Sequence, residues 1–486
     1  MIPDDWTLNG AGIEEWRAVC RERANVGAGK GRIIEVAHER FHYKSLDELK
    51  KTAVEVGASL PFADHTGILG TPARFGTATV RNRLGIAPME GADALPDGSP
   101  SEFTRRRYCR QAAGGSAVIW FEAISVVPEG CSSGTQLLIT RENVDAYRRL
   151  CDEVREAGFR ENGVDPLLIM QANHSGRYSN PGNRPAPLIA YRHPWLEQFR
   201  PADDSCIVSD DYLMALEERF GEGTRLAREA GFDGVDIKSC HGYLFAELNS
   251  AWSRPGRYGG SYENRTRLLK NCIASADVYK NEHFFVTCRL GIYDGYPEGP
   301  GFGAAERDPF SLDLQEPLRL VRELRDECGL DTINITMGNP YATTHVTRPF
   351  DFGKYQPTEH PLTGISRMIH GAAAVKEAVP DMTVYASAPS YLRQYSDLYA
   401  AGAVEQGMCD GMLFGRMAFA DPDYANEIIR EGRIHPDRVC VTCGKCGDLI
   451  RAHKPTGCVI RDTETFLPFY REFVELKPSL PENYRG

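Results

Sequence analysis

The sequence predicts an α/β fold, a parallel (β/α)8 barrel, and three observations carry that expectation. Eight short apolar runs recur along the chain, amphipathic stretches separate them, and polar residues suited to chemistry fall just after the apolar runs. Strands buried on both faces read as near-continuous apolar runs, and strands alternating with helices build parallel sheets. The expected strands are 84–88, 117–125, 167–172, 234–238, 284–290, 332–336, 382–386 and 411–414. Helical patterns fill 101–113, 143–157, 210–230, 263–279, 314–328, 364–378 and 390–401. Asp210 is the expected N-cap of its helix, and Gly231 its stop. A doubly wound open sheet is the alternative; the count of eight favours a closed barrel.

The stretch from the third strand to the next helix, 173–209, is the largest insertion and is rich in Pro, Arg and aromatics. A barrel builds its site from such loops, so this one is expected to form a substrate wall or lid. Before the barrel, an extension carries helical patterns over 13–24 and 45–56. Ser45 and Glu48 mark a capping box on the second. No catalytic motif is visible in the extension, which is expected to pack on the barrel or form a subunit contact. The expected domains are an extension over 1–74, the barrel over 75–432, and a cysteine-bearing segment with its tail over 433–486.

Composition narrows the function classes. Of 486 residues, 42% are hydrophobic and 25% charged, as in an ordinary globular protein. The formal net charge of −11 argues against a nucleic-acid partner. No apolar run approaches the roughly 20 residues that span a bilayer. The start, MIPDDWTLNG, lacks the layout of a signal peptide. Ten of the 14 cysteines are scattered singly and fit reduced thiols in a cytoplasmic protein.

The other four are Cys440, Cys443, Cys446 and Cys458, in RVCVTCGKCGDLIRAHKPTGC. Their spacing is C-x2-C-x2-C-x11-C. Four thiolates suit a structural zinc or an iron–sulfur cluster. Zinc sites usually present two separated Cys-x-x-Cys pairs; three cysteines crowded on one loop favour the cluster.

Catalytic groups of a barrel belong at the C-terminal ends of its strands. Those ends read Ala87-Pro88-Met89-Glu90-Gly91 after the first strand and Gln171-Ala172-Asn173-His174 after the third. They read Lys238-Ser239-Cys240-His241-Gly242-Tyr243 after the fourth, Arg289 after the fifth and Gly415-Arg416 after the eighth. An arginine ending an apolar strand is costly to bury alone, so Arg289 points to an anionic ligand. His174 reads as a structural histidine. Tyr341 and His345, after the sixth strand, are further candidate donors.

The blocks NRLGIAPMEG, QANHSGRYS, AGFDGVDIKSCHGYLF, RPGRYGGSYENRTR and GMLFGRMAFADPD together resemble the Old Yellow Enzyme family of flavin barrels, over about Phe75 to Tyr424. With the cysteine quartet, the chain resembles the iron–sulfur branch that includes 2,4-dienoyl-CoA reductase, 2-enoate reductase and trimethylamine dehydrogenase. The resemblance implies FMN and a 4Fe–4S cluster on the four cysteines. It implies that Pro88, Met89 and Ala123 line the flavin and that Gln171 bonds its pyrimidine edge. Arg289 would sit near the N1–C2 carbonyl, and Gly415 and Arg416 would hold the phosphate. Tyr243 would be the proton donor, and His241 would bind the substrate's polar head. An oligomer is also implied.

Four departures matter. Lys238 replaces the usual histidine; it either anchors a substrate oxygen and carries a proton, or pairs with Asp236 or another acid. Glu90 stands near where trimethylamine dehydrogenase has its flavin-linking cysteine, so FMN is expected to be non-covalent. Ser387 and Ala388 occupy the place of a Gly-Gly pair near the phosphate, with the Ser387 hydroxyl a possible phosphate contact. Finally, no strand-embedded G-x-G-x-x-G is found; Gly27-Ala28-Gly29-Lys30-Gly31 is a weak look-alike. The expectation is therefore an ene-reductase acting on a C=C bond conjugated to a carbonyl, carboxylate or thioester, linked through its cluster to an external redox protein or reductase subunit. Alternatives are a dehydrogenase that oxidises an amine or saturated substrate, and a non-catalytic electron-transfer subunit.

Overall fold

The computed structural model describes residues 38–299, 301–305 and 308–475. The helical pattern over 13–24 and the Gly27–Gly31 look-alike lie outside the described residues.

Eight parallel strands close into a barrel: β1 (Leu84–Ile86), β2 (Val118–Ser125), β3 (Leu167–Asn173), β4 (Gly234–Ser239), β5 (Phe285–Gly291), β6 (Thr332–Thr336), β7 (Thr383–Ser387) and β8 (Gly411–Phe414). They pair in sequence order, and β8 pairs with β1 to close the ring, Leu413 opposite Gly85. Nearly every strand residue is buried. One face packs on helices and the other fills the barrel, which is why these segments lack the alternation of a half-exposed sheet.

The principal helices are α1 (Glu102–Ala113), α2 (Val144–Asn162), α3 (Asp210–Glu229), α4 (Arg267–Asp277), α5 (Gln315–Asp326), α6 (Pro361–Ala378), α7 (Ser396–Glu405) and α8 (Tyr424–Glu431). Three expectations about them need correction. The N-cap of α3 is Ser209, whose hydroxyl accepts from the Tyr212 N–H at 3.1 Å; Asp210 lies in the first turn and binds Arg254 instead. The pattern over 263–279 splits into Tyr262–Arg265 and α4, and that over 390–401 becomes a 3-10 turn, Pro389–Tyr395, before α7. Arg393 breaks the latter at φ 51°, where its guanidinium pairs with Asp351.

The floor of the barrel is plugged. A hairpin of Ala73–Phe75 with Ala78–Val80 drives Phe75 against Trp120, Phe285 and Tyr385, with ring centroids 5.4 to 6.0 Å apart. Gly76 turns this hairpin at φ 57°, where an added Cβ would lie 2.8 Å from the Phe285 ring. The opposite end stays available for chemistry.

The described part of the extension packs on the barrel. Its helix Leu46–Glu55 buries Leu49 and Ala53, and the chain after it bonds α6 and α7 through Ser59 N to Ser366 Oγ (3.0 Å) and Ala63 N to Leu398 O (3.0 Å). Ser45 caps that helix as expected, at 3.2 Å from the Glu48 N–H. The reciprocal half of the box is displaced by one residue: the Glu48 carboxylate accepts from Lys44 N at 2.7 Å.

The cysteine segment lies across the C-terminal end of the barrel. Thr456 N donates to Gly91 O at 2.8 Å, Asp351 N to Thr442 O at 3.3 Å, and Asp462 pairs with Arg106 and Arg110 of α1. Leu449, Val459, Phe466 and Tyr470 give it a small apolar centre. No described helix is long and apolar enough to cross a membrane.

Candidate active site

The loop after β4 sets out three of the expected residues in one turn. His241 takes φ 66° and Gly242 φ 70°, so the chain doubles back and Tyr243 begins a short helix, Leu244–Asn249. Glycine is required at position 242: a Cβ there would meet Asn339 Nδ2 at 2.0 Å. Lys238, His241 and Tyr243 thereby face the same space.

Lys238 lies over the Tyr243 ring, its Nζ 3.8 Å from the centroid. The expected alternative of a pair with Asp236 is not formed. Asp236 instead accepts from Gln171 Nε2 at 2.8 Å and from Thr287 Oγ1 at 2.9 Å. Burial pushes the Lys238 ammonium down to about 8, against the opposing pull of Cys240 and Glu90. His241 Nε2 lies 3.3 Å from Thr336 Oγ1. Burial, then the cations Arg289, Lys238 and Arg348, hold its imidazole well below the usual range, so it is neutral.

The Tyr243 hydroxyl lies 2.8 Å from that of Tyr341. Tyr341 stacks on Tyr178 at 3.9 Å and 15°, and Asn339 Nδ2 steadies the Tyr178 hydroxyl at 2.8 Å. Burial holds the Tyr243 phenol well above its ordinary value, so it stays protonated. Glu90 closes the group from β1; Ser132 Oγ donates to it at 2.7 Å, and burial raises its pKa. The sequence flagged Tyr341 only loosely and missed Tyr178, because nothing in a loop sequence shows which aromatic rings will stack.

Two buried polar side chains on β5 and β6 carry atoms without protein partners. Arg289 is buried at the end of β5, its Nε unbonded, with burial lowering its pKa. Its register neighbour Asn334 has neither side-chain polar atom bonded. Buried polar groups are normally satisfied, so these fit a polar ligand that fills the space. Asn334 was not foreseen, since within TINIT it reads as an ordinary strand residue. Pro88 and Met89 are half-buried after β1, Ala123 is buried beyond a bulge in β2, and Gly415 packs against Met89 so closely that a Cβ would lie 3.0 Å from its Sδ.

Two guanidiniums lie together beyond β8. Arg416 donates to Pro349 O at 2.7 Å. Arg348 is lowered to about 10 by burial and by Arg416. Neither pairs with a carboxylate among the described residues, so they fit an anion such as a phosphate. Ser387 contributes less than expected: its hydroxyl donates to Ile335 O at 3.1 Å. Ala388 takes φ 73°, the conformation that the expected glycine would have adopted freely.

Other expected donors resolve differently. His174 is structural, with Nε2 2.8 Å from Tyr212 Oη and Nδ1 accepting from Gly176 N at 3.1 Å. His345 bonds Tyr355 at 2.6 Å, away from Tyr243.

The four cysteines lie in the segment that crosses the C-terminal end of the barrel. Electrostatic coupling links Cys440 to Cys443 and Cys446, and Cys458 to Cys440 and Cys446. The Thr442 N–H donates to Cys440 Sγ at 3.4 Å, and the Arg461 N–H to Cys458 Sγ at 3.3 Å. Such bonds stabilise thiolates, and this donor set fits an anionic cluster. Among the described residues, no three His, Cys, Asp or Glu side chains are arranged to hold a single metal ion.

Residues 69–317 match the NADH:flavin oxidoreductase / NADH oxidase family. The chain belongs to that family. Its barrel is therefore that of a flavin-dependent oxidoreductase, with FMN as the cofactor. Among curated relatives, NADH oxidase of Thermoanaerobacter brockii is 24% identical over 389 residues, 78% of this chain and 53% of the relative. NADPH dehydrogenase of Geobacillus sp. (strain WCH70) is 30% identical over 278 residues, 56% of this chain and 73% of the relative. Two solved structures share the fold. A 2-naphthoyl-CoA reductase in complex with 2-naphthoyl-CoA has a TM-score of 0.66 at 19% identity, covering 81% of this chain and 57% of its own. Histamine dehydrogenase from Rhizobium sp. 4-9 has a TM-score of 0.60 at 19% identity, covering 81% of this chain and 52% of its own. The chain thus spans about half the length of several relatives it matches.

Proposed function

We propose that the chain reduces a C=C bond conjugated to a carbonyl or thioester, using non-covalent FMN and a 4Fe–4S cluster on Cys440, Cys443, Cys446 and Cys458. The observation that carries this reading is the charge at the barrel mouth. The Lys238 ammonium, which the flavin contacts do not use, lies 3.8 Å over the Tyr243 ring and forms no ion pair with a carboxylate among the described residues. Such a site attracts an anionic substrate and stabilises the negative charge that develops on a carbonyl oxygen. It repels a protonated amine, which weighs against the amine-oxidising alternative.

FMN, when bound, supplies hydride. Arg289 and Asn334 offer it polar contacts, and Arg416 with Arg348 offers its phosphate a cationic seat. Lys238 and neutral His241 hold the substrate oxygen and polarise the double bond. Tyr243 keeps its proton until the α-carbon needs one, and Tyr341 beside it is placed to return a proton. The stacked rings of Tyr178 and Tyr341 wall the space and exclude water. A cluster held by Cys440, Cys443, Cys446 and Cys458 would supply one-electron exchange with an external redox protein; the three-part division at residues 74 and 432 and an oligomeric assembly belong to the same proposal.

The test supplies an enoate or an enoyl thioester to the dithionite-reduced anaerobic holoenzyme, and an amine to the oxidised holoenzyme. Saturated product from either unsaturated substrate supports the reading; oxidation of the amine alone refutes it. Iron and acid-labile sulfide, rather than zinc, should accompany the protein.

A further inference from the structure

The insertion between β3 and α3 suspends a cation over the tyrosine stack. The Arg200 guanidinium carbon lies 5.7 Å from the centre of the Tyr178 ring. Its charge acts on Tyr178, Tyr341 and His453. Three parts of the chain therefore converge on it: the insertion, the loop after β6 and the cysteine segment.

Two other arginines of the insertion are neutralised. Arg177 pairs with Glu197 and Glu247 at 2.8 and 2.6 Å, and Arg192 lies near Glu197 and Asp204. Arg200 forms no ion pair among the described residues, and it is half-buried rather than free in solvent. Its backbone is nevertheless fixed: Arg177 Nη1, itself fully buried, donates to the Arg200 carbonyl at 3.0 Å. A cation left unpaired while a buried ion-pair network fixes its position is a prepared receptor for an anion.

The same stack leads from Arg200 to the proton donor. Arg200 lies over Tyr178, Tyr178 stacks on Tyr341, and Tyr341 meets Tyr243. We propose that Arg200 binds an anionic oxygen group of the substrate, carboxylate or phosphate, at the rim of the cleft, while the flat unsaturated part lies along the tyrosine rings. Arg200 is then a specificity-determining residue for acidic substrates. This rests on the reductase reading of the site.

The experiment uses dithionite-reduced holoenzyme with monoethyl glutaconate, whose carboxylate is separate from the conjugated ester, with crotonyl-CoA and with neutral ethyl crotonate, comparing the native protein with Arg200→Gln and Arg200→Lys. The ratio of kcat/KM for an anionic substrate to that for ethyl crotonate should fall about ten- to a hundredfold in Arg200→Gln, the range for losing a charge-assisted hydrogen bond. The loss should appear in KM, and Arg200→Lys should recover part of it. A fall confined to monoethyl glutaconate places a carboxylate on Arg200; a fall confined to crotonyl-CoA places the carrier's phosphates there. Unchanged ratios for both would overturn the proposal and leave Arg200 a strut of the insertion.

Calorimetric titration with monoethyl glutarate and butyryl-CoA reads the site without turnover. Weaker binding of either in Arg200→Gln supports the assignment; equal binding, or no binding to the native protein, overturns it. Binding that depends on Arg200 without any reduction of the three substrates would sink the reductase reading and keep the anion site.

Discussion

The hydroxyls of Tyr243 and Tyr341 lie 2.8 Å apart, with the Lys238 ammonium over the Tyr243 ring. One phenol thus has both a proton-exchanging neighbour and a cation against its face. Tyr243→Phe should lower kcat about a hundred- to ten-thousandfold, the usual contribution of a positioned acid, with FMN content unchanged. Tyr341→Phe should cost less, about tenfold, because it removes a supporting hydrogen bond and leaves Tyr243 to recover its proton from solvent. Stopped-flow reoxidation of the reduced enzyme by substrate measures both.

Lys238 sets the expected pH dependence. Its ammonium titrates near 8 because burial disfavours the charged form. Below that pH it is a cation that can hold the substrate oxygen; above it the charge is lost, so kcat/KM should fall as pH rises through about 8. Lys238→Met should abolish that limb and lower the plateau. Tyr243 does not produce the limb, since its pKa is held well above 10.

Arg289 should govern flavin retention. Arg289→Gln leaves Asn334 without its cationic neighbour, and FMN affinity should fall about ten- to a hundredfold, as for loss of a charge-assisted contact. Fluorescence of FMN released on dilution gives the constant directly.

A buried triad underlies the turn that carries Pro88 and Met89. Arg107 pairs with Asp93 and Glu122, and Glu122 accepts from the Gly91 N–H at 2.7 Å. Arg107→Met strands two buried carboxylates and should destabilise the protein by about 3–5 kcal/mol. Denaturant titration reads the loss, and FMN binding should weaken with it.

Much of the barrel was legible because its strands announce themselves. LLIMQAN and GMLF are short, mostly apolar runs, so the expected and observed spans differ by at most a residue. The floor plug was not legible: ARFGTATV gives no sign that Phe75 will meet Trp120, a contact set only by closure of the ring. At the site, Lys238, His241 and Tyr243 were visible as one motif on one turn. Arg348, Asn334 and Tyr178 were not, since each acquires its meaning from a residue on another loop. The Lys238–Asp236 pair is absent for a local reason: strand positions of like parity share a face, but Gln171 and Thr287 reach Asp236 first, and the other acid whose charge acts on Lys238 is Glu90.

The proposed cysteine ligation is testable separately from the flavin. Cys446→Ala should eliminate acid-labile sulfide and most iron while leaving FMN bound to the barrel; simultaneous loss of both would tie the flavin site to the segment that bonds Gly91 through Thr456.

The most direct measurement of the central claim is a single turnover. Dithionite-reduced holoenzyme is freed of excess reductant and mixed anaerobically with crotonyl-CoA or crotonate while the flavin absorbance is followed. The account expects the oxidised flavin band to return in step with saturated product, and to return far more slowly in Tyr243→Phe. Reduced flavin that persists with every conjugated substrate, in an enzyme whose oxidised form is bleached by an amine, would contradict it.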